Sequence, residues 1–338
     1  MKAFIRILIF VTILCFVFLK FCSVFNFKYG DGIYDMTKFY EQDRNTVDVL
    51  ILGSSHAFEN INTGTLWDEY GMSSFLLCGS AQPLWNTYYY LKEALKTQTP
   101  KLIVLEGWCT HIKFKYSDDS RIIKNNFGLR LSPDKIKSLM VSTNKRRWPE
   151  FFLEYIHYHS RYKEIKKGDF LKNQGYPLYE DWKGFGCNMH TTSQNPINIS
   201  GCFNQTDLSK KTEKFYRAII ELAQVNKIPI IVVIAPYAGI NEKQQGYFNK
   251  AGDIATEYRV PFVNFNLHFN QIGLDFSTDV ADKDHLNNKG SQKFSRYIGA
   301  ILKAKYDIPD HRGDEKYASW QRHADYIRQK YYKGVNVE

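Results

Sequence analysis

The stretch VDVLILGSSHAFEN, residues 47–60, decides the fold. Its first seven residues are almost continuously apolar, which suits a strand covered on both faces. Gly53, two serines and a histidine then end the run abruptly. Four similar runs follow: SSFLLCG (73–79), KLIVLEG (101–107), IPIIVVIAP (228–236) and VPFVNFN (260–266). Helix-like segments lie between them, at about Asn86 to Lys96, Lys211 to Asn226 and Glu242 to Tyr258. This alternation predicts an α/β fold, a doubly wound, flavodoxin-like parallel sheet of five strands, with ligand chemistry at the carboxyl ends of the strands. Gly53, Ser54 and Ser55 fall at such an end, where the amides of the next turn can face an anion.

The 338 residues allow one large α/β domain with insertions. Residues of about 114–206, between the third and fourth strands, exceed what a minimal sheet needs and read as an insertion. Within it Ser132 to Val141 and the aromatic-rich Trp148 to Lys167 look helical, and Gly175 to Gln205 looks like an ordered loop or flap. An insertion leaving the carboxyl edge is placed to shape a cleft or to dock a partner. The tail, 306–338, reads as a loop and an amphipathic helix from about Ser319 to Tyr332, with Trp320, Ile327 and Tyr331 on one stripe packing on the domain.

Residues 1–26 differ from the rest. Lys2 and Arg6 precede an apolar run from Ile7 to Leu19, and beyond Lys20 the residues Phe21 to Phe25 extend it toward the ~20 residues a bilayer needs. Neither a small-residue cleavage site nor a lipoprotein cysteine context is present, so the segment reads as an uncleaved signal anchor. Lys2 and Arg6 inside place residues 27–338 outside the cytoplasm. The formal charge of +10 is spread over loops and helix faces without a recognition motif, which argues against nucleic acid as partner and for anionic lipid or an acidic envelope polymer. The six cysteines have no C-x-x-C zinc spacing, so no metal is expected, while Cys187 and Cys202 are placed to pair in an oxidising compartment.

A second chemical signal is DVADKDHLNNKG, residues 279–290, where Asp282 and His285 stand three apart just before a helix-like run. That spacing brings two side chains to one side, so the carboxylate can orient the imidazole and Ser55 can complete a triad. Each residue also has a plainer use: Ser54 and Ser55 suit a helix cap, and Asp284 competes with Asp282. His56 reads as a wall beside the nucleophile, and Trp182 and Phe185 read as faces on which a sugar stacks.

The block GSSH after the first strand, paired with D-K-D-H-L-N-x-x-G near the end, resembles the SGNH/GDSL superfamily of serine esterases and acyltransferases, over most of residues 46–305 apart from the insertion. The resemblance implies that Ser55 is the nucleophile, that Asp282 and His285 form the terminal D-x-x-H pair, and that the Gly79 and Ser55 amides make the oxyanion hole. Where the family has asparagine in its third block, this chain has Cys109, after Gly107 and Trp108. Trp108, Cys109 and Trp182 are then the expected substrate contacts. The resemblance is to the membrane-anchored branch that works on envelope or exported polysaccharides. It implies an acylated glycan as substrate, polysaccharide-synthesis machinery as partner and no cofactor. The departure at Cys109 also supports a different class, a non-catalytic glycan-binding or assembly subunit retaining the fold.

Overall fold

The computed structural model describes residues 1–26, 30–170 and 181–332. In chain order the first elements are α1 (Lys2–Phe25), α2 (Ile33–Phe39), β1 (Val49–Gly53), α3 (Ser55–Phe58), α4 (Thr63–Tyr70), β2 (Ser74–Cys78), α5 (Leu84–Ala94) and β3 (Leu102–Glu106). The insertion carries α6 (Asp119–Lys124), α7 (Pro133–Ser142), α8 (Trp148–Phe152) and α9 (Tyr155–Tyr158). Then come α10 (Lys210–Val225), β4 (Ile230–Ile234), α11 (Glu242–Glu257), β5 (Phe262–Asn264), α12 (Phe269–Ile272), α13 (Asn288–Lys305) and α14 (Ala318–Tyr331).

The five strands form one parallel sheet in the order β2-β1-β3-β4-β5. Pleating sends alternate side chains to opposite faces. Leu50, Leu52, Ile103, Leu105 and Val232 pack under α5, α10 and α11, while Val49, Ile51, Val104, Ile231 and Val233 pack under α4, α13 and α14. Burying a side chain of this size contributes roughly 1.5–3 kcal/mol, and both faces are covered, which explains the absence of polar alternation in the strands. Short polar residues start the helices: Ser209 accepts from the Thr212 amide at α10, and Asn287 accepts from Lys289 and Gly290 at α13.

Two expectations for the insertion need correction. Trp148 to Lys167 is not one helix: α8 ends at Phe152, and α9 and two single 3-10 turns continue on a bent path. A straight helix of that length would be about 30 Å long and could not fold back. The bends let Phe151 and Tyr158 close with Ile122, Phe127 and Leu139 around Phe25 of α1. The expected flap is in part a border of the sheet. The Lys183 carbonyl accepts from Leu76 of β2 at 3.0 Å, and the Gly186 amide donates to Phe58 at 2.8 Å. Gly184 has φ +86, and a side chain there would run into the Leu76 backbone. Phe185 is wholly buried beside Leu76 and Cys78, so it cannot offer a face to a sugar. Residues 175–180 of the expected flap lie outside the described residues.

The C-terminal helix packs on the domain as its stripe requires. Trp320 is buried and donates to the Ser74 carbonyl at 2.9 Å, and Ile327 joins the α4–α13 side of the core. α1 carries an 18-residue stretch with a mean hydropathy of 2.7 and is long and apolar enough to cross a membrane. Most of its side chains are exposed.

Candidate active site

Register sets the site. Gly53 of β1 is paired with Cys78 of β2, so the turn at Ser54 and Ser55 and the turn at Gly79 leave adjacent strands side by side. Ser55 opens α3, directly after an extended Ser54 with φ −114 and ψ −158. Gly79 has a steric reason of its own: a side chain there would collide with the Asn125 carboxamide oxygen. Asp31 accepts from the Ser80 amide at 3.2 Å, and Asn125 donates to the Ser80 carbonyl at 3.3 Å, so the Gly79–Ser80 turn is pinned from both sides.

The other half arrives 230 residues later in the chain. His285 Nε2 lies 2.9 Å from Ser55 Oγ, and His285 Nδ1 lies 3.1 Å from both carboxylate oxygens of Asp282. Asp282 also accepts from the Asp284 and His285 amides at 2.7 and 2.9 Å, which winds 282–285 into a tight loop. Asp284 contributes that amide while Asp282 faces the imidazole. Burial pushes the Asp282 carboxyl up, but the His285 imidazole and the two amides outweigh it and hold the carboxyl below its ordinary range. The Asp282 side chain is 51% exposed, an open setting for a group that orients a histidine.

Asn60, at the end of the opening stretch, joins the two halves. It is wholly buried, donates to the Pro236 carbonyl at the end of β4 at 3.2 Å, and accepts from Leu286, next to His285, at 2.9 Å. One side chain thereby fixes the serine turn, the β4 end and the histidine loop. The loop is further held by antiparallel bridges of Val280 to Leu286 and to Thr192 of the insertion.

The two flanks of the Ser55–His285 pair differ in chemistry. On one, Glu59 Oε1 lies 3.9 Å from His285 Nε2, and Glu59 Oε2 accepts from Asn188 of the insertion at 3.0 Å. Burial raises the Glu59 carboxyl against the pull of His285 and Asn188. On the other, His56 is buried, stacked on Trp108 at 4.4 Å and 19° and edge-on to Tyr237 at 4.7 Å. Its pKa is driven well below the ordinary histidine value by burial and then by His285 and His111, so its ring is a neutral wall. Below lies Glu106, wholly buried and accepting from the Trp108 amide at 3.0 Å. Burial raises its carboxyl to about 8, despite the hydrogen bond from the Trp108 amide.

The expected substrate contacts fare unevenly. Trp108 stays at the carboxyl edge, over His56. Cys109 is 1% exposed and packs with the α5 side of the core, so its thiol is sealed from a ligand and burial pushes it far up. Trp182 is half-buried, donating to Asp35 at 2.6 Å and packed on Tyr34 and His323, a structural commitment. Cys187 and Cys202 are free thiols. No cluster of three or more metal-binding side chains occurs among the described residues. Sequence reading missed Asn60, Glu59, Glu106 and Asn125. For the first two the signal was at hand, since both lie on the turn that carries Ser55.

No family model matches the chain. No curated protein matches it. A solved structure described as a candidate lipolytic protein of the G-D-S-L family from Desulfitobacterium hafniense DCB-2 is similar over 76% of this chain and 99% of that one, at 11% sequence identity and a TM-score of 0.39.

Proposed function

We propose that the chain is a serine-dependent esterase or acyltransferase of the SGNH/GDSL type, acting on an acylated, and most simply acetylated, glycan of the cell envelope or an exported polymer. The observation that carries this reading is the unbroken run from Ser55 Oγ through His285 to Asp282 at the carboxyl edge of the sheet. Ser55 Oγ attacks the ester carbonyl while His285 Nε2 takes its proton, and Asp282 holds the imidazole and its charged form. The Ser55 and Gly79 amides receive the oxyanion. His285 returns the proton to the departing alcohol, leaving an acyl-serine. A second hydroxyl, from water or from a sugar, then loses its proton to His285 and takes the acyl group, which frees Ser55. Glu59, 3.9 Å from Nε2, is the residue we assign to holding that incoming hydroxyl. No cofactor enters. α1 anchors the enzyme, with the catalytic part outside the cytoplasm beside the machinery that makes the polymer.

The test uses the full chain in detergent, with short-chain aryl esters and a fluorophosphonate probe. Wild type is expected to hydrolyse the esters and take the label at Ser55, and Ser55→Ala to do neither. An oligosaccharide acceptor then separates hydrolysis from transfer by which product carries the acyl group. A wild-type serine that stays inert while the protein binds glycan would overturn the catalytic reading in favour of a binding module.

A further inference from the structure

The carboxyl end of α1 is locked into the insertion. Phe25 is buried among Ile122, Phe127, Phe151 and Tyr158, the Arg161 guanidinium donates to the Phe25 carbonyl, and Asn26 donates to Glu154 at 3.4 Å. Wherever a helix of this hydropathy leaves a bilayer, the neighbouring face of the insertion is carried to the same depth.

That face has the composition of a membrane interface. Leu131 is 87% exposed, Phe170 69% and Leu153 56%, with Ile136, Phe152 and Ile156 also exposed. Around them stand the exposed cations Arg130, Lys145, Arg146, Lys163, Lys166 and Lys167. Of the carboxylates described from 130 to 170, Glu164 is exposed, and Glu150, with its side chain 42% exposed, is neutralised by Arg147 at 2.9 Å. Between α1 and the insertion runs a cavity of about 530 Å³, lined by Leu19 and Cys22 on one side and Leu131, Ile136, Phe152 and Ile156 on the other. So large an apolar surface left to water would be costly, whereas acyl chains in the cavity and anionic headgroups on the rim match it in both polarity and charge.

We propose that the 131–170 face of the insertion, with the carboxyl end of α1, is an interfacial surface that binds anionic phospholipid, taking an acyl chain into the cavity and headgroups on the lysine and arginine rim. The catalytic cleft is then held at a set height above the bilayer by two attachments. A single flexible tether would leave that height free.

The experiment places the full chain in nanodiscs of phosphatidylcholine with phosphatidylglycerol, doped with a phospholipid carrying a diazirine on its acyl chain, and maps adducts by mass spectrometry. Adducts are expected on α1 and on 131–156 and Phe170, about tenfold above those at Phe203 and Val225, which are 83% and 79% exposed on other segments. The double variant Leu131→Asp, Phe152→Asp alters two exposed side chains and is expected to remove most of the patch label while leaving α1 labelled. Replacing phosphatidylglycerol by phosphatidylcholine is expected to lower patch labelling severalfold. Label confined to α1, absent from α1, or unchanged in the double variant overturns the proposal, as does protection of the patch by a second copy of the chain.

Discussion

Two histidine rings stand 5.2 Å apart at the carboxyl edge of the sheet, and they share nothing but their chemistry on paper. His285 is held at both nitrogens, by a serine and by a half-exposed carboxylate. His56 is sealed among Trp108, Tyr237 and His285 and stays neutral. The comparison teaches that surroundings, not residue type, separate the two rings: His285 faces a serine hydroxyl and a half-exposed carboxylate, whereas burial among aromatic walls keeps the His56 ring neutral.

The largest effect that could break this contrast is at the serine. Ser55→Ala is expected to lower ester turnover by about 10⁶-fold with unfolding unchanged, as loss of a triad nucleophile does. Next comes Asp282→Asn. In a buried triad that change costs about 10⁴, but here the carboxylate is half in solvent and already screened, so about 10² is expected, read as kcat at constant protein stability. Third, Asn60→Ala should cost about 1–3 kcal/mol in chemical unfolding, because it strands a buried carbonyl and a buried amide, and should lower kcat by loosening the histidine loop. His56→Phe keeps the wall and its stacking, so it should change kcat less than about tenfold. A larger loss would mean that His56 touches the reacting atoms after all.

The smallest effects concern pH and stability, and two buried groups predict opposite slopes. Glu106 holds its proton up to about 8, so between its ordinary value and 8 the folded chain binds more protons than the unfolded one, and stability falls as pH rises through that window. Lys183 is wholly buried, and burial lowers its amine from 10.5 to about 7. There the unfolded chain binds more protons, so stability rises with pH from about 7 toward 10.5. Each slope is at most about 1.4 kcal/mol per pH unit. Glu106→Gln should flatten the acid-side slope and Lys183→Met the alkaline one, read by denaturant unfolding of the full chain in detergent at a series of pH values.

The five strands were legible because each is an apolar run covered on both faces, and α5, α10 and α11 because each is long and periodic. Ser55, His285 and Asp282 were legible because the chemistry confines them to short local patterns at strand and helix ends. What stayed hidden depends on contacts distant in sequence. Nothing near Trp148 announces that its segment must bend to enclose Phe25, more than one hundred residues earlier. Nothing beside Phe185 says that it fills the edge of β2. Trp182 failed as a sugar platform for the same reason: an aromatic residue in a polar loop reads as a ligand contact until Asp35 and Tyr34 are seen beneath it.

The border of β2 has one more consequence. Its outer side is closed by Leu76 to Lys183 and by Trp320 of α14, and Lys183 itself rests on Trp320 at 3.8 Å and donates to Ser319 at 2.9 Å. A chain that has formed all five strands but not yet docked α14 leaves the Ser74 carbonyl of β2 without its Trp320 donor, so that edge is only partly closed, and a partly open strand edge is a template on which chains join one another. The docking of residues 318–331 therefore completes the protection of β2 against edge-to-edge association.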